Sequence, residues 1–199
     1  MNISLVVYIN KNPNMLQKLG DMVGYYLNDQ IKEDTIVEPY VHQVSVKYNN
    51  TDNNKRRGPQ KFATNTLIVG INGCDDDYND YRTKHKQSTN DRAISLITTG
   101  LLDDFNNEEW PILPGDLGEN ITISGSIRFE IGGKYSIGNV ILQITEDIEP
   151  CNKLMFLPYV GRDKKTLFLK MLEGRRGWYA KVLVEGTIVP GDKIKMIID

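Results

Sequence analysis

Apolar and polar residues alternate over many short stretches of this chain, and few stretches show helical spacing. Val41 to Tyr48 alternates in this way, which is typical of a half-buried β-strand. Short apolar, β-branched runs between Gly- and Pro-containing turns predict further strands at Thr66–Ile71, Ala93–Thr98, Asn120–Ser124, Ile127–Ile131, Val140–Thr145, Trp178–Glu185 and Lys193–Ile198. Short helices are predicted at Leu101–Phe105 and Lys164–Leu172. The pattern indicates a mainly-β fold (α+β), a barrel or a sandwich, rather than a parallel βαβ sheet.

The first forty residues carry a different pattern. Ser4–Ile9 predicts a strand, and apolar residues from Met15 to Leu27 recur at spacings of one, three and four, as on one face of a helix. The opposite face is not basic, which favours packing on the protein's own core over binding to a membrane surface or a partner. We therefore predict that residues 1–40 form a strand-helix extension packed on a domain that spans 41–199.

Two polar stretches interrupt the strands. Residues 49–60 predict a loop, and its Lys55, Arg56 and Arg57 form a small basic cluster with Lys61. Such a cluster is usually a solvated loop, and phosphate binding is the less specific alternative. Residues 72–91 form a longer polar stretch, and loops of that length in compact domains are often functional. The acidic run 75–79 resembles the opening of a calcium loop, but Asp80 replaces the required glycine, so a solvated acidic loop is the better interpretation.

Composition narrows the class of protein. The 199 residues include 24 Lys and Arg against 26 Asp and Glu, a net charge of −2, which argues against a nucleic-acid partner. The two cysteines, Cys74 and Cys151, are too few for a disulfide framework or a cysteine-based zinc site. The start of the chain lacks the basic segment of a signal peptide, and no apolar run is long enough to cross a bilayer. We expect a cytoplasmic protein without a membrane partner, in which any functional cysteine acts as a thiol.

The most distinctive sequence motifs lie between Asn90 and Ile194. Standard phosphate-loop, dinucleotide, HExxH and GxSxG signatures are absent. Instead the chain carries, in this order, DRAISL (91–96), PGDLGENITISG (114–125), IGGKYSIGNVILQIT (131–145), EPCNKL (149–154) and RRGWYAKVLVEGTIVPGDKI (175–194). On these segments the chain resembles the MOSC family, the domain at the C-terminus of molybdenum cofactor sulfurases, in a standalone prokaryotic form. The resemblance implies a MOSC-like β-barrel of short mixed strands with a few peripheral helices.

The resemblance also implies chemistry at Cys151. A thiolate is a soft ligand that suits molybdenum, and it also suits carriage of sulfur as a persulfide. The resemblance implies that Cys151, the cysteine of the EPCNKL segment, is the metal ligand and catalytic group. Cys74 has acidic neighbours that disfavour a thiolate, so it is not expected to be reactive. The candidate residues for binding the molybdenum–pterin cofactor are Asp91, Arg92, Glu119, Asn120, Lys153 and Arg176. The cations among them would stabilise the thiolate or hold a phosphate, while Asp91 and Asn120 would contact the edges of the pterin.

Two functions of different class follow from this. The protein is either an enzyme that transfers sulfur or reduces N-hydroxylated compounds, or a non-catalytic carrier of the cofactor or of sulfur for a partner enzyme. The chain contains neither a pyridoxal-phosphate desulfurase domain nor a ferredoxin-type cysteine cluster. Sulfur or electrons are therefore expected from a separate protein, a cysteine desulfurase that carries its own pyridoxal phosphate, or an electron donor.

Overall fold

The structure, a computed structural model, describes residues 38–47, 58–78 and 90–198. Their strands are β1 (Tyr40–Val46), β2 (Phe62–Thr64), β3 (Leu67–Gly70), β4 (Gly73–Cys74), β5 (Ile94–Thr98), β6 (Ile121–Ser124), β7 (Lys134–Ile137), β8 (Val140–Asp147), β9 (Trp178–Val184), β10 (Gly186–Ile188) and β11 (Ile194–Ile197). Their α-helices are α1 (Thr99–Asn107) and α2 (Lys165–Leu172), and 3-10 turns span Asn90–Arg92 and Asn152–Phe156. Among these residues no helix is both long and apolar enough to cross a membrane.

Several predictions fall on other parts of the chain. The strand at Ser4–Ile9, the helix over 15–27 and nearly all of the predicted extension 1–40 lie outside the described residues. The same holds for the basic residues 55–57 and for most of the long polar loop beyond Tyr78.

The described strands form two sheets, and the mainly-β class is confirmed. The larger sheet has eight strands in the order β11-β7-β8-β9-β5-β6-β1-β2, and the smaller has three in the order β10-β3-β4. Neighbours pair antiparallel except β5 and β6, which are parallel. A parallel pair needs a crossover connection, and α1 with the loop to β6 provides it.

The expected closed barrel is wrong in one respect, because the larger sheet does not close into a continuous ladder. β2 pairs with β1 from Val44 to Val46, and so occupies part of the free edge of β1 that a closing strand would need. Only the start of that edge reaches the other end of the sheet, through an isolated bridge between Tyr40 and Lys193. Beside the bridge, the Val41 N–H donates to the Asp192 carbonyl at 2.8 Å. The sheet is therefore curled toward a barrel and joined at one corner.

One predicted strand, Ile127–Ile131, is absent, and four strands were not predicted. Phe129 of this segment is buried, but a side chain holds the backbone: the Tyr135 hydroxyl accepts from the Glu130 N–H at 3.1 Å. Backbone bonds to β8 begin at the Gly132–Gly133 turn, where the Gly132 N–H donates to the Ile144 carbonyl at 2.8 Å, and they continue in β7. β2, β4, β7 and β10 have two to four residues each, too few for an alternating pattern to emerge.

Two apolar clusters lie on opposite faces of the larger sheet. Since successive strand residues point to opposite faces, Ile94 and Leu96 of β5 join the first cluster and Ile97 joins the second. The first cluster consists of inward residues of both sheets. The second is formed by α1, α2, the 3-10 turn at Asn152–Phe156 and the loop before β6. This second, helix-covered layer contains the candidate site.

Candidate functional site

Cys151 lies just beyond the end of β8, in the helix-covered layer. The Ile148 N–H donates to the Gly177 carbonyl at 2.9 Å, which keeps this end of β8 beside the start of β9. The backbone of Cys151 is extended (φ −121°, ψ 153°), and its carbonyl accepts from the Leu154 N–H as the 3-10 turn begins. The thiol is free, half-buried and packed against the second apolar cluster.

Arg176 is the predicted cation most closely tied to Cys151. Its Nη1 donates to the Glu149 carbonyl at 2.5 Å, two residues before the cysteine, and its Nη2 donates to the Leu117 carbonyl at 2.9 Å. The residue is only 8% exposed, and its Nε has no hydrogen-bond partner within the described residues. Arg176 thus connects the segment that carries Cys151 to the loop before β6.

That loop, Pro114–Asn120, lies directly against the backbone of residues 59–61. A Cβ at Gly115 would come 2.4 Å from the Lys61 carbonyl oxygen, and one at Gly118 would come 2.9 Å from that of Pro59. Both glycines have positive φ, +95° and +90°, which disfavours other residues. The glycines of the PGDLGEN motif therefore serve a close backbone approach, which places Asp116, Glu119 and Asn120.

Glu119 is the most deeply buried acid of the candidate set, at 3% exposure. Its Oε1 accepts from the Gly115 N–H at 2.5 Å and from the Thr122 hydroxyl at 3.2 Å. Its Oε2 has no partner among the described residues. Burial raises the pKa of the Glu119 carboxyl above its ordinary value, and these hydrogen bonds together with the charge of Lys61 oppose the rise without cancelling it. Glu119 is thus a buried carboxyl with one unused oxygen.

Asp116 and Tyr159 form a pair next to Glu119. The Tyr159 hydroxyl donates to Asp116 Oδ2 at 3.0 Å, and Gln60 donates to Oδ1 at 3.0 Å. Burial, with the negative charges of Asp116 and Glu119, raises the pKa of the Tyr159 phenol above its ordinary value. The phenol therefore stays neutral and remains a hydrogen-bond donor. Sequence reasoning missed Tyr159, because a lone tyrosine after a 3-10 turn carries no distinguishing signal.

Asn120 belongs to a second polar network. Its Oδ1 accepts from the Ser95 hydroxyl at 3.0 Å, and its Nδ2 donates to Asp77 Oδ2 at 3.0 Å. Asp77 also accepts from Lys61 Nζ at 2.6 Å and from the Lys47 N–H at 2.8 Å. The predicted solvated acidic loop is wrong for Asp77, whose side chain is only 6% exposed because it bonds Lys61 and Asn120. The contact of Asn120 with a pterin stays a prediction, and the described contacts of its amide are with the protein.

Asp91 and Arg92 are held by β8 and β9. Arg92 makes a bidentate ion pair with Glu146, at 2.5 and 2.8 Å, and its guanidinium lies 5.4 Å from the ring centre of Tyr179. The Asp91 carbonyl accepts from the Thr145 hydroxyl at 2.6 Å. The hydrogen bond from Arg92 holds the pKa of the Glu146 carboxyl below its ordinary value. The described contacts of Asp91 and Arg92 are therefore with β8 and β9.

Lys153 is exposed in the 3-10 turn that follows Cys151. In the described part of the chain, no three His, Cys, Asp or Glu side chains come together as a metal site. Among the predicted site residues, Cys151 therefore lies in the helix-covered layer and Glu119 in the Pro114–Asn120 loop, and Arg176 bonds to both segments. Lys153 lies at the surface.

Comparison with known proteins identifies the family. The MOSC domain matches residues 82–195, more than half of the 199-residue chain, so the chain belongs to the MOSC domain family, which is associated with the molybdenum cofactor. No curated protein matches the chain in sequence.

Solved structures share the fold. The YuaD protein of Bacillus subtilis superposes with a TM-score of 0.64 at 17% identity, over 79% of this chain and 94% of that one. YiiM of Geobacillus stearothermophilus gives 0.59 at 23% identity, over 80% of this chain and 75% of its own. YiiM of Escherichia coli gives 0.54 at 16% identity, over 80% and 70%. At these identities the likeness concerns the fold.

Proposed function

We propose that the protein binds a molybdenum–pterin cofactor through the thiol of Cys151, and that it uses this site for sulfur transfer or for reduction of N-hydroxylated compounds. The observation that carries the proposal is the free, half-buried thiol at the end of β8, in a chain of the MOSC family. Both a thiolate ligand and a persulfide need a sulfur that is free of disulfides and reachable from the surface.

Two buried groups, one that bonds the segment before Cys151 and one in the Pro114–Asn120 loop, fit such a cofactor. The cofactor carries a phosphate and a ring with hydrogen-bonding edges, and it would supply the redox or sulfur chemistry when bound. The Nε of Arg176 is a buried donor, and the Oε2 of Glu119 is a buried acceptor. Neither atom has a hydrogen-bond partner among the described residues. Buried polar atoms are normally paired, so unpaired ones beside a motif loop suit a site completed by a ligand.

The reactants would come from other proteins. With two cysteines, the chain has no set of four for an iron–sulfur cluster of its own. Electrons would then come from a separate donor protein, or sulfur from a cysteine desulfurase that holds pyridoxal phosphate itself. The alternative to an enzyme is a non-catalytic carrier that holds the cofactor or sulfur for a partner enzyme.

Cysteine variants test the proposal. The protein is purified natively after cofactor-replete expression, molybdenum is measured by mass spectrometry, and pterin is measured as its fluorescent oxidation product. We expect metal and pterin in the parent and in Cys74→Ser, and loss of metal in Cys151→Ser. A parent without molybdenum, pterin or persulfide would contradict the proposal, and equal metal in Cys151→Ser would remove this residue as the ligand. Reduction of an N-hydroxylated base with a supplied electron donor separates an enzyme from a carrier.

A further inference from the structure

One guanidinium spans the two segments that meet at the candidate site. Arg176 donates through Nη1 to the carbonyl of Glu149 and through Nη2 to the carbonyl of Leu117. These carbonyls belong to segments 32 positions apart in sequence, the one leading to Cys151 and the one leading to Glu119. The planar fork of an arginine can hold two acceptors at fixed relative positions, which a single ammonium cannot do.

The backbone that carries Arg176 is itself fixed. Gly177 has φ +94°, and a Cβ there would lie 2.1 Å from the Leu96 carbonyl oxygen, so this turn is pressed against β5. The Gly177 carbonyl also accepts from the Ile148 N–H. The guanidinium therefore extends from a rigid base at the start of β9, and the position of Glu149 is defined relative to β5.

In the cofactor-free protein the guanidinium of Arg176 contacts backbone carbonyls and makes no ion pair with a described carboxylate. Throughout 38–47, 58–78 and 90–198, no carboxylate lies within ion-pair distance of it. A buried guanidinium that contacts only carbonyl dipoles has given up hydration without a counter-charge. We take this desolvation cost as an indication that the two hydrogen bonds to the Glu149 and Leu117 carbonyls have a structural role.

We propose that Arg176 is a positioning residue for Cys151. By holding the Glu149 and Leu117 carbonyls together, it fixes the Glu149–Cys151 segment against the Pro114–Asn120 loop and keeps the thiol half-buried. The importance of this position rests on the proposed function, in which Cys151 meets a cofactor or sulfur. The positioning itself is a property of the cofactor-free chain, so it is tested without cofactor.

The test measures how fast the thiol of Cys151 reacts. In a Cys74→Ser background Cys151 is the only cysteine of the chain, and labelling of the cofactor-free protein by neutral N-ethylmaleimide is followed by mass spectrometry. We expect Arg176→Gln to raise the labelling rate about tenfold, the factor expected when a charged hydrogen bond that closes a segment is lost. Arg176→Lys, which keeps the charge but not the fork, should be intermediate.

Arg175→Gln is the matched control. Arg175 is the preceding residue and holds Glu108, the C-cap residue of α1, with two bonds of 2.8 Å. Its loss therefore destabilises the same layer without releasing Glu149. Its labelling rate should equal that of the parent. The proposal would be overturned if Arg176→Gln left the labelling rate unchanged, or if Arg175→Gln raised it equally. It would also be overturned if the labelling rates of all the variants simply increased as their melting temperatures fell. If Arg176→Gln does not fold, Arg176→Lys decides: a rate equal to the parent's would overturn it.

Discussion

The carboxylate of Glu119 accepts a hydrogen bond from the backbone N–H of Gly115 at 2.5 Å. This bond closes the Pro114–Asn120 loop on itself, four residues apart, and Thr122 adds a second donor to the same oxygen. The other oxygen of Glu119 is buried without a partner among the described residues. The loop is thus held by a carboxyl in an environment that disfavours its charge, and this makes stability dependent on pH.

The contribution of Glu119 to stability should fall as the pH rises above 4.5, the ordinary pKa of a glutamate carboxyl. Burial raises the pKa of Glu119 in the folded state, so the native protein keeps a proton that the unfolded chain has lost. The loss continues until the pH has passed through the raised value, and no further loss comes from Glu119 beyond it. The check is the urea unfolding free energy measured from pH 4 to pH 8 in the parent and in Glu119→Gln.

Glu119→Gln should show a flatter pH profile, because the amide cannot ionise while its oxygen still accepts from Gly115. Glu119→Ala should instead cost about 1–3 kcal/mol near pH 4, since the Gly115 N–H and the Thr122 hydroxyl lose their acceptor. This cost should shrink as the pH rises, because the parent loses the contribution of Glu119 over that range. Parallel pH profiles in the parent and in Glu119→Gln would show that this carboxyl does not titrate in the window.

Gly118→Ala should destabilise the protein more than Gly132→Ala. Both glycines have positive φ, +90° and +87°, so both alanines carry the same backbone strain, of about 1 kcal/mol. A Cβ at Gly118 would also meet the Pro59 carbonyl oxygen at 2.9 Å, whereas nothing lies within 4 Å at Gly132. The excess, about 1–3 kcal/mol by analogy with overpacked sites, is read from chemical denaturation. Equal losses would mean that the loop moves away from residues 59–61 at no cost.

The sequence predicted the strands in which apolar and polar residues alternate or apolar residues form a run. It missed the elements that individual tertiary contacts determine. β1, β5, β8 and β9 show alternation or apolar runs, and their predicted positions agree within two residues at each end. The segment at Ile127–Ile131 has the same composition, but the hydroxyl of Tyr135 holds its backbone outside the sheet. The larger sheet is not a closed barrel, because β2 pairs with part of the free edge of β1. The sequence does not reveal β2, since its three residues are too few to show a pattern.

The candidate site was predictable where a motif marked it. Cys151 and the Pro114–Asn120 loop follow from the family resemblance. The role of Arg176 does not, because its acceptors are backbone carbonyls, which every residue has. The burial of Asp77 does not follow either: its neighbours in sequence are acidic and exposed, and only the fold brings Lys61 to it.

Removal of Asp77 should be among the most damaging single changes in the described part of the chain. Asp77→Ala leaves the ammonium of Lys61, whose side chain is 8% exposed, without its carboxylate, and it removes an acceptor from Asn120. Loss of one partner of a buried ion pair costs about 3–5 kcal/mol. The neighbouring Asp75→Ala is the control, because that residue is exposed and should change stability by less than about 0.5 kcal/mol. Similar unfolding midpoints for the two variants would contradict the buried network.

The variant Arg92→Ala tests whether the surface of β8 belongs to the candidate site. Arg92 was predicted to bind cofactor, but it is half-exposed and paired with Glu146, an arrangement that contributes about 0.2–1 kcal/mol and weakens with salt. We expect a small loss of stability that disappears at high ionic strength, with molybdenum content equal to that of the parent. Glu146→Gln should show the same small loss, because either change breaks the pair. If Arg92→Ala instead abolished metal retention while Glu146→Gln did not, Arg92 would contact the cofactor, and the site would extend across β8 to the 3-10 turn before β5.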